Sequence, residues 1–109
     1  MAAYLIYICK RIRRRADLEN YWAKVGATIP HHSLNALTAY GRFEVLEGDD
    51  EVKGVAIVEF PTMEAAKSWY DSPGYTEVRK HRIDGADYLG ILVESGVVPA
   101  AQRMLDAGE

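Results

Sequence analysis

His31 and His32 stand side by side after Pro30. An imidazole titrates close to neutral pH, so either one could take or return a proton during a reaction. As a metal pair they are poor. Adjacent residues on a helix point about 100° apart, and the third histidine, His81, belongs to a different segment. No metal site is expected. A histidine lining a pocket and a histidine exposed to water both stay open.

Glu59 is the second candidate. It shares the alternation of Val55 and Ile57, so all three project from one face of a strand. A carboxylate in that company must be paired or sit at a wet pocket. Arg79 and Arg82 are the available partners. One reading is an ion pair tying strand to helix, and the other is a general base or substrate anchor. Tyr40, Arg42 and Glu44 form a third group, placed on one face by period-two spacing. With Tyr4, Tyr7 and Tyr88 from other strands they could line a pocket rich in hydroxyls, or simply pack with their hydroxyls reaching water or backbone. The run Lys10-Arg11-Ile12-Arg13-Arg14-Arg15 holds five of the 13 positive charges. It reads as a solvated loop, with steering of an anionic substrate as the functional alternative. Cys9, the only cysteine, lies in an apolar run and reads as a small buried residue.

These candidates need elements to position them. Residues 3–9 (AYLIYIC) read as a buried strand. Leu18, Tyr21, Trp22, Val25 and Ile29 form one apolar helical stripe, with Asp17 as its expected N-cap. Residues 37–48 are expected as a strand with Gly41 marking a bulge or a close backbone approach, and residues 52–60 as its hairpin partner. Thr62 is the expected N-cap of a helix with Met63, Ala66, Trp69 and Tyr70 on its apolar face, stopped by Ser72-Pro73-Gly74. A short helical segment over 75–83, a strand over 86–95 and a short amphipathic tail helix complete the chain.

The resulting order, β-α-β-β-α-β, predicts a four-stranded antiparallel sheet with both helices on one face. Residues 1–95 form the expected domain and 96–109 the tail. The strands are apolar on both faces, so the uncovered face calls for a second copy of the chain and a two-fold dimer. With 109 residues and net charge −3, the chain suits a single domain and argues against nucleic acid as a partner. No apolar run approaches membrane-spanning length and no signal peptide is evident, so a cytoplasmic location and no membrane partner are expected. No phosphate loop, dinucleotide glycine pattern or nucleophile elbow is present, and no cofactor is expected.

The stretch VAIVEFPTMEAAKSWYDSPGYTEVRKHR (55–82) carries a resemblance. Glu59-Phe60-Pro61, Trp69-Tyr70-Asp71-Ser72-Pro73, Tyr75 and Arg82 are similar to the signature of the domain-of-unknown-function 1330 family. FEVLEGD (43–49) and the opening AYLI fit as well. The resemblance implies a ferredoxin-like subunit of the dimeric α/β-barrel superfamily, an α+β fold. That superfamily includes cofactor-free monooxygenases, polyketide cyclases, muconolactone isomerase and haem enzymes, so it implies a fold rather than one reaction. Two departures stand out. His32-Ser33-Leu34 replaces a His-Gly-Gly turn usual in the family. Positions that hold a catalytic Tyr and His in related barrel cyclases hold Trp69 and Tyr75.

The combined expectation is a small cofactor-independent enzyme working by acid–base chemistry on a hydrophobic, oxygenated small molecule. Lyase, isomerase, cyclase and monooxygenase outcomes all fit. His31, His32 and Glu59 are the expected catalytic residues, and Tyr40, Arg42, Trp69, Tyr70, Tyr75 and Arg82 the substrate-binding ones. The alternative is a small-molecule binder or structural dimer without turnover.

Overall fold

Alternation in the first apolar run decides the layering. In β1 (Ala3–Ile12), Ala3, Leu5, Tyr7 and Cys9 are buried while Tyr4, Ile6 and Ile8 are half-buried. A period of two puts these sets on opposite faces of the strand. The buried set packs against α1 (Arg15–Val25), α2 (Met63–Tyr70) and α3 (Pro73–Gly85). The other set faces away from the helices. The chain is described here by a computed structural model that places residues 1–48, 50–99 and 104. The expected tail helix falls largely outside these described residues.

The remaining strands are β2 (Asn35–Ala39), β3 (Gly54–Phe60) and β4 (Ala86–Glu94). All pairings are antiparallel and the order is β2-β3-β1-β4, with β1 paired to β3 on one side and β4 on the other. This is the expected ferredoxin-like α+β sheet. Tyr7 is the residue opposite both Ala56 and Gly90. Gly90 leaves room for it, since a Cβ there would lie 3.1 Å from the Tyr7 ring.

Helix ends follow local chemistry, with differences from expectation. Thr62 caps α2 as predicted, its hydroxyl accepting from the Ala65 N–H at 3.0 Å. Asp17 does not cap α1. That helix starts three residues earlier than expected, behind Arg14, which makes no side-chain cap bond. The entry is fixed instead by the Gly85 carbonyl, which accepts from the N–H groups of Arg13 and Arg14 at 2.8 and 2.9 Å. Asp17 lies in the first turn, where a carboxylate complements the helix dipole. Ser72-Pro73-Gly74 does more than stop α2. Ser72 caps α3 and Pro73 opens it, as proline at the first helical position does well. The segment expected as short is a 13-residue helix.

β2 is shorter than the predicted 37–48. It ends at Ala39, and Tyr40 takes φ +63°, a left-handed conformation that an extended strand cannot contain. Beyond it Phe43 and Val45 keep a strand's alternation but stay exposed, as does Leu46, and among the described residues none of the three pairs with a strand. The irregularity in β2 falls between Ala36 and Thr38 rather than at Gly41. The basic run is not a free loop either. Lys10, Arg11 and Ile12 finish β1, and Arg11 and Arg13 both pair with Asp87 of β4 at 3.0 and 2.8 Å. Arg13 also donates to the carbonyls of Ile83, Asp84 and Ala86, capping the end of α3.

Candidate functional site

Tyr75 is fully buried, and two other tyrosines meet it. Its hydroxyl lies 2.7 Å from that of Tyr7 and 2.8 Å from that of Tyr21. The three rings come from α3, β1 and α1, so one chain of hydroxyls ties sheet to helices. Tyr75 also stacks on Trp69, with centroids 3.8 Å apart. The Trp69 Nε1–H donates to Thr28 Oγ1 at 3.1 Å, and the Thr28 hydroxyl donates to the Val25 carbonyl at 2.6 Å. Each polar tip here has a partner, as burial demands.

Arg82 follows Tyr75 by seven residues, two helical turns, and so lies on the same face of α3. It is 5% exposed, an unusual position for arginine. Its guanidinium carbon lies 4.4 Å from the Tyr7 ring centroid, 5.0 Å from Tyr88 and 5.8 Å from Tyr21. Among the described residues no carboxylate pairs with it, and its Nε has no hydrogen-bond partner. Burial works against the charge. Tyr7, Tyr75 and Tyr21 work the other way, and the balance lies above the ordinary arginine value. The group is charged at any biological pH.

This arginine lines a cavity of about 370 Å³ between sheet and helices. Leu5, Ala66, Ile83 and Leu92 give it apolar walls, and Tyr7, Tyr70 and Tyr88 give it aromatic ones. Lys67, which is exposed, stands at the rim. The size is that of a small-molecule pocket. Burial raises the hydroxyl pKa of Tyr7, Tyr21 and Tyr88 well above the usual tyrosine value, so all three are neutral donors near pH 7. Tyr88 also walls a second hollow of about 330 Å³, with Trp22, Tyr40 and Gly54, and its hydroxyl lies 2.7 Å from that of Tyr40. Burial pushes the Cys9 thiol up, which makes it a weak nucleophile.

The sequence candidates separate into two groups. Tyr70 and Arg82 line the cavity between sheet and helices, and Tyr75 stands directly behind it. Trp69 belongs to the core beneath, and Tyr40 to the second hollow. Arg42 is exposed and lines neither. His31, at φ +77°, is exposed and His32 half-buried, in the turn before β2, and neither lines the cavity. Glu59 projects from the face of the sheet opposite the helices. It borders an open depression with Ser33, Asn35 and Pro61 and pairs with neither Arg82 nor Arg79. Arg79 instead stacks on the Tyr70 ring, 4.1 Å from its centroid, and donates to the Tyr70 carbonyl. Tyr21 and Lys67 went unnoticed as site residues. Tyr21 showed only a helical stripe, while Tyr7 carried one usable signal, a hydroxyl on the buried side of a strand.

Among the described residues no group of three or more His, Cys, Asp or Glu could hold a metal ion, and no helix is long and apolar enough to cross a membrane.

Known structures share this architecture. A protein of unknown function from Rhodopseudomonas palustris, RPA0582, superposes with a TM-score of 0.69 at 21% identity, over 90% of this chain and 84% of that one. SnoaB, a cofactor-independent oxygenase from Streptomyces nogalater, gives 0.59 at 11% identity, over 89% and 95%. A dabb family protein with a ferredoxin-like fold from Mesorhizobium loti gives 0.57 at 13% identity, over 89% and 100%. At such identities the likeness is one of fold. No curated protein matches the sequence. Residues 2–96 match the family described as Domain of unknown function (DUF1330), and the chain belongs to that family.

Proposed function

We propose that the protein is a small-molecule enzyme that holds a hydrophobic, oxygenated compound in the cavity beside Arg82 and acts on it by acid–base chemistry. The observation that carries this reading is the cavity's polar end. A buried guanidinium and a chain of buried tyrosine hydroxyls meet there, against walls that include Leu5, Ala66 and Leu92. Such donors, fixed in place, favour negative charge developing on a bound oxygen. Arg82 supplies the positive field. Tyr7, backed by Tyr75 and Tyr21, is placed to share a proton along the hydroxyl chain. The lining holds neither histidine nor carboxylate, so the proton leaving carbon goes to water admitted at the rim. The same stabilised anion suits the isomerase, cyclase and cofactor-independent oxygenase outcomes, the last being the activity named for SnoaB.

The working unit in this proposal is a homodimer. Leu89, Ile91 and Val93 of β4 are 43%, 42% and 44% exposed on the face away from the helices, beside Ile6, Ile8, Val55 and Ile57. A continuous apolar sheet face of this kind is covered most simply by its own copy.

Binding without turnover is the second reading, favoured by the lack of a carboxylate or imidazole base in the lining. Hydrogen exchange in heavy water separates the two. Phenylpyruvate and benzoylacetone, one anionic and one neutral, both have carbon-bound protons next to a carbonyl. Proton NMR should show those protons lost faster with protein than with buffer for at least one of them, and at the buffer rate with Arg82→Met. Saturable binding with no acceleration for either compound would establish the binder reading instead.

A further inference from the structure

We infer that the molecule bound beside Arg82 arrives already negatively charged, carrying a carboxylate on an apolar body, and that the carboxylate seats against the Arg82 guanidinium. This deepens the function proposed above and rests on it.

Charge accounting around the cavity supports it. Two cations, Arg82 and Lys67, line the space and no Asp or Glu does, in a chain whose net charge is −3. Neither cation forms an ion pair among the described residues, whereas Arg11, Arg13 and Arg15 each do. The neighbouring arginine of the same helix, Arg79, at least donates to the Tyr70 carbonyl. Arg82 has no such bond from its Nε, although it is the most buried charged residue among the described residues.

A buried charge without a counterion is costly, and aromatic faces recover only part of that cost. The tyrosine rings around Arg82 are neutral, because burial raises their hydroxyl pKa values. They solvate the cation without neutralising it. The missing partner must therefore be small enough to enter the cavity and must bring a full negative charge with planar acceptor geometry. A carboxylate fits the fork of an arginine in that way. Beyond the guanidinium, Leu5, Ala66, Ile83 and Leu92 are apolar, and the hydroxyls of Tyr7 and Tyr88 are already bonded to those of Tyr75 and Tyr40. The rest of the molecule is accordingly apolar. Lys67 at the rim draws anions toward the entrance without selecting among them.

Matched pairs of probes test this directly. Hydrocinnamate and octanoate are compared with hydrocinnamamide and octanamide, which have the same bodies and no charge. Affinities are read by saturation-transfer NMR and calorimetry on the full-length protein. A charge-assisted hydrogen bond predicts a roughly tenfold to hundredfold preference for the acids. Arg82→Met should abolish that preference and Arg82→Lys should restore part of it. Lys67→Gln should slow acid binding at low salt yet keep the preference. Should Arg82→Met fail to fold, the wild-type protein still decides. Its Arg82 Nε–H resonance, followed by heteronuclear NMR, should shift with the acids and not with the amides. Equal affinity for acids and amides would overturn the carboxylate assignment and leave the enzyme reading to its own hydrogen-exchange test. Absence of binding by all four probes at millimolar concentration would overturn the cavity as a ligand site.

Discussion

The Tyr7 and Tyr75 hydroxyls lie 2.7 Å apart across 68 residues of sequence, and Tyr21 joins them from a third element. Tyr75 is the middle of this chain, so its hydroxyl satisfies two others.

Tyr75→Phe should therefore be more damaging than Tyr7→Phe or Tyr21→Phe. Removing the central hydroxyl strands two buried ones, and the cost should be about 2–6 kcal/mol, from two groups each left unsatisfied. Each terminal substitution should cost about 1 kcal/mol. Urea unfolding of the three variants gives the ranking, and equal losses would mean that the hydroxyl chain does not act as a unit.

Gly85→Ala should destabilise by about 1–3 kcal/mol through overpacking. A Cβ there would meet the Leu18 nitrogen at 2.7 Å and the Arg14 carbonyl at 3.0 Å, both backbone atoms that cannot turn aside. Thermal unfolding measures it. The control is Gly26→Ala, where a Cβ meets nothing within 4 Å.

Alkaline pH should unfold the protein early. Burial raises the pKa of Tyr7, Tyr21 and Tyr88 above the unfolded value of 10.0. Below pH 10 these groups are protonated in both states and contribute no pH dependence. Above it the unfolded chain releases protons that the folded chain retains, so stability falls. Each tyrosine adds a slope of about 1.4 kcal/mol per pH unit, which continues until the folded pKa is passed. Urea midpoints measured between pH 8 and 11 should be flat at first and then drop; a midpoint rising through this window would contradict the burial of the three hydroxyls.

Ile91→Glu should give a monomer. Ile91, Ile6 and Ile57 lie in register across β4, β1 and β3 on the face that no helix covers. Sedimentation should show a dimer for the wild type and a monomer for the variant. A monomeric wild type would remove the case for paired sheets.

Much of the architecture was legible because it depends on local periodicity. The alternation of Leu5, Tyr7 and Cys9 against Ile6 and Ile8 gives the two faces of β1, and Thr62 marks its helix by cap chemistry alone. Two boundaries were not legible. β2 stops where Tyr40 turns left-handed, which no residue type announces, and α1 starts on a carbonyl from Gly85, far along the chain. The candidate site divides the same way. Tyr75 and Arg82 lie two turns apart on α3, so their shared face follows from spacing, and Tyr70 joins them from the end of α2 across the Ser72 corner. The isolation of Arg82 from Glu59 does not follow from spacing, since both occur within one short run of sequence yet lie on opposite sides of the sheet. Tyr21 entered the site only through tertiary contact.

Ser72 joins the two helices that roof the cavity. Its hydroxyl donates to the Trp69 carbonyl at the end of α2, at 2.7 Å, and accepts from the Tyr75 N–H at the start of α3, at 3.3 Å. The angle between the two helices is consequently set within seven consecutive residues. Tyr70 and Arg82 stand on either side of that corner. Substitutions near Pro73 and Gly74 could widen or narrow the space between them without disturbing a strand. The width of the cavity is thus set at one turn between two helices, apart from the strands that floor it.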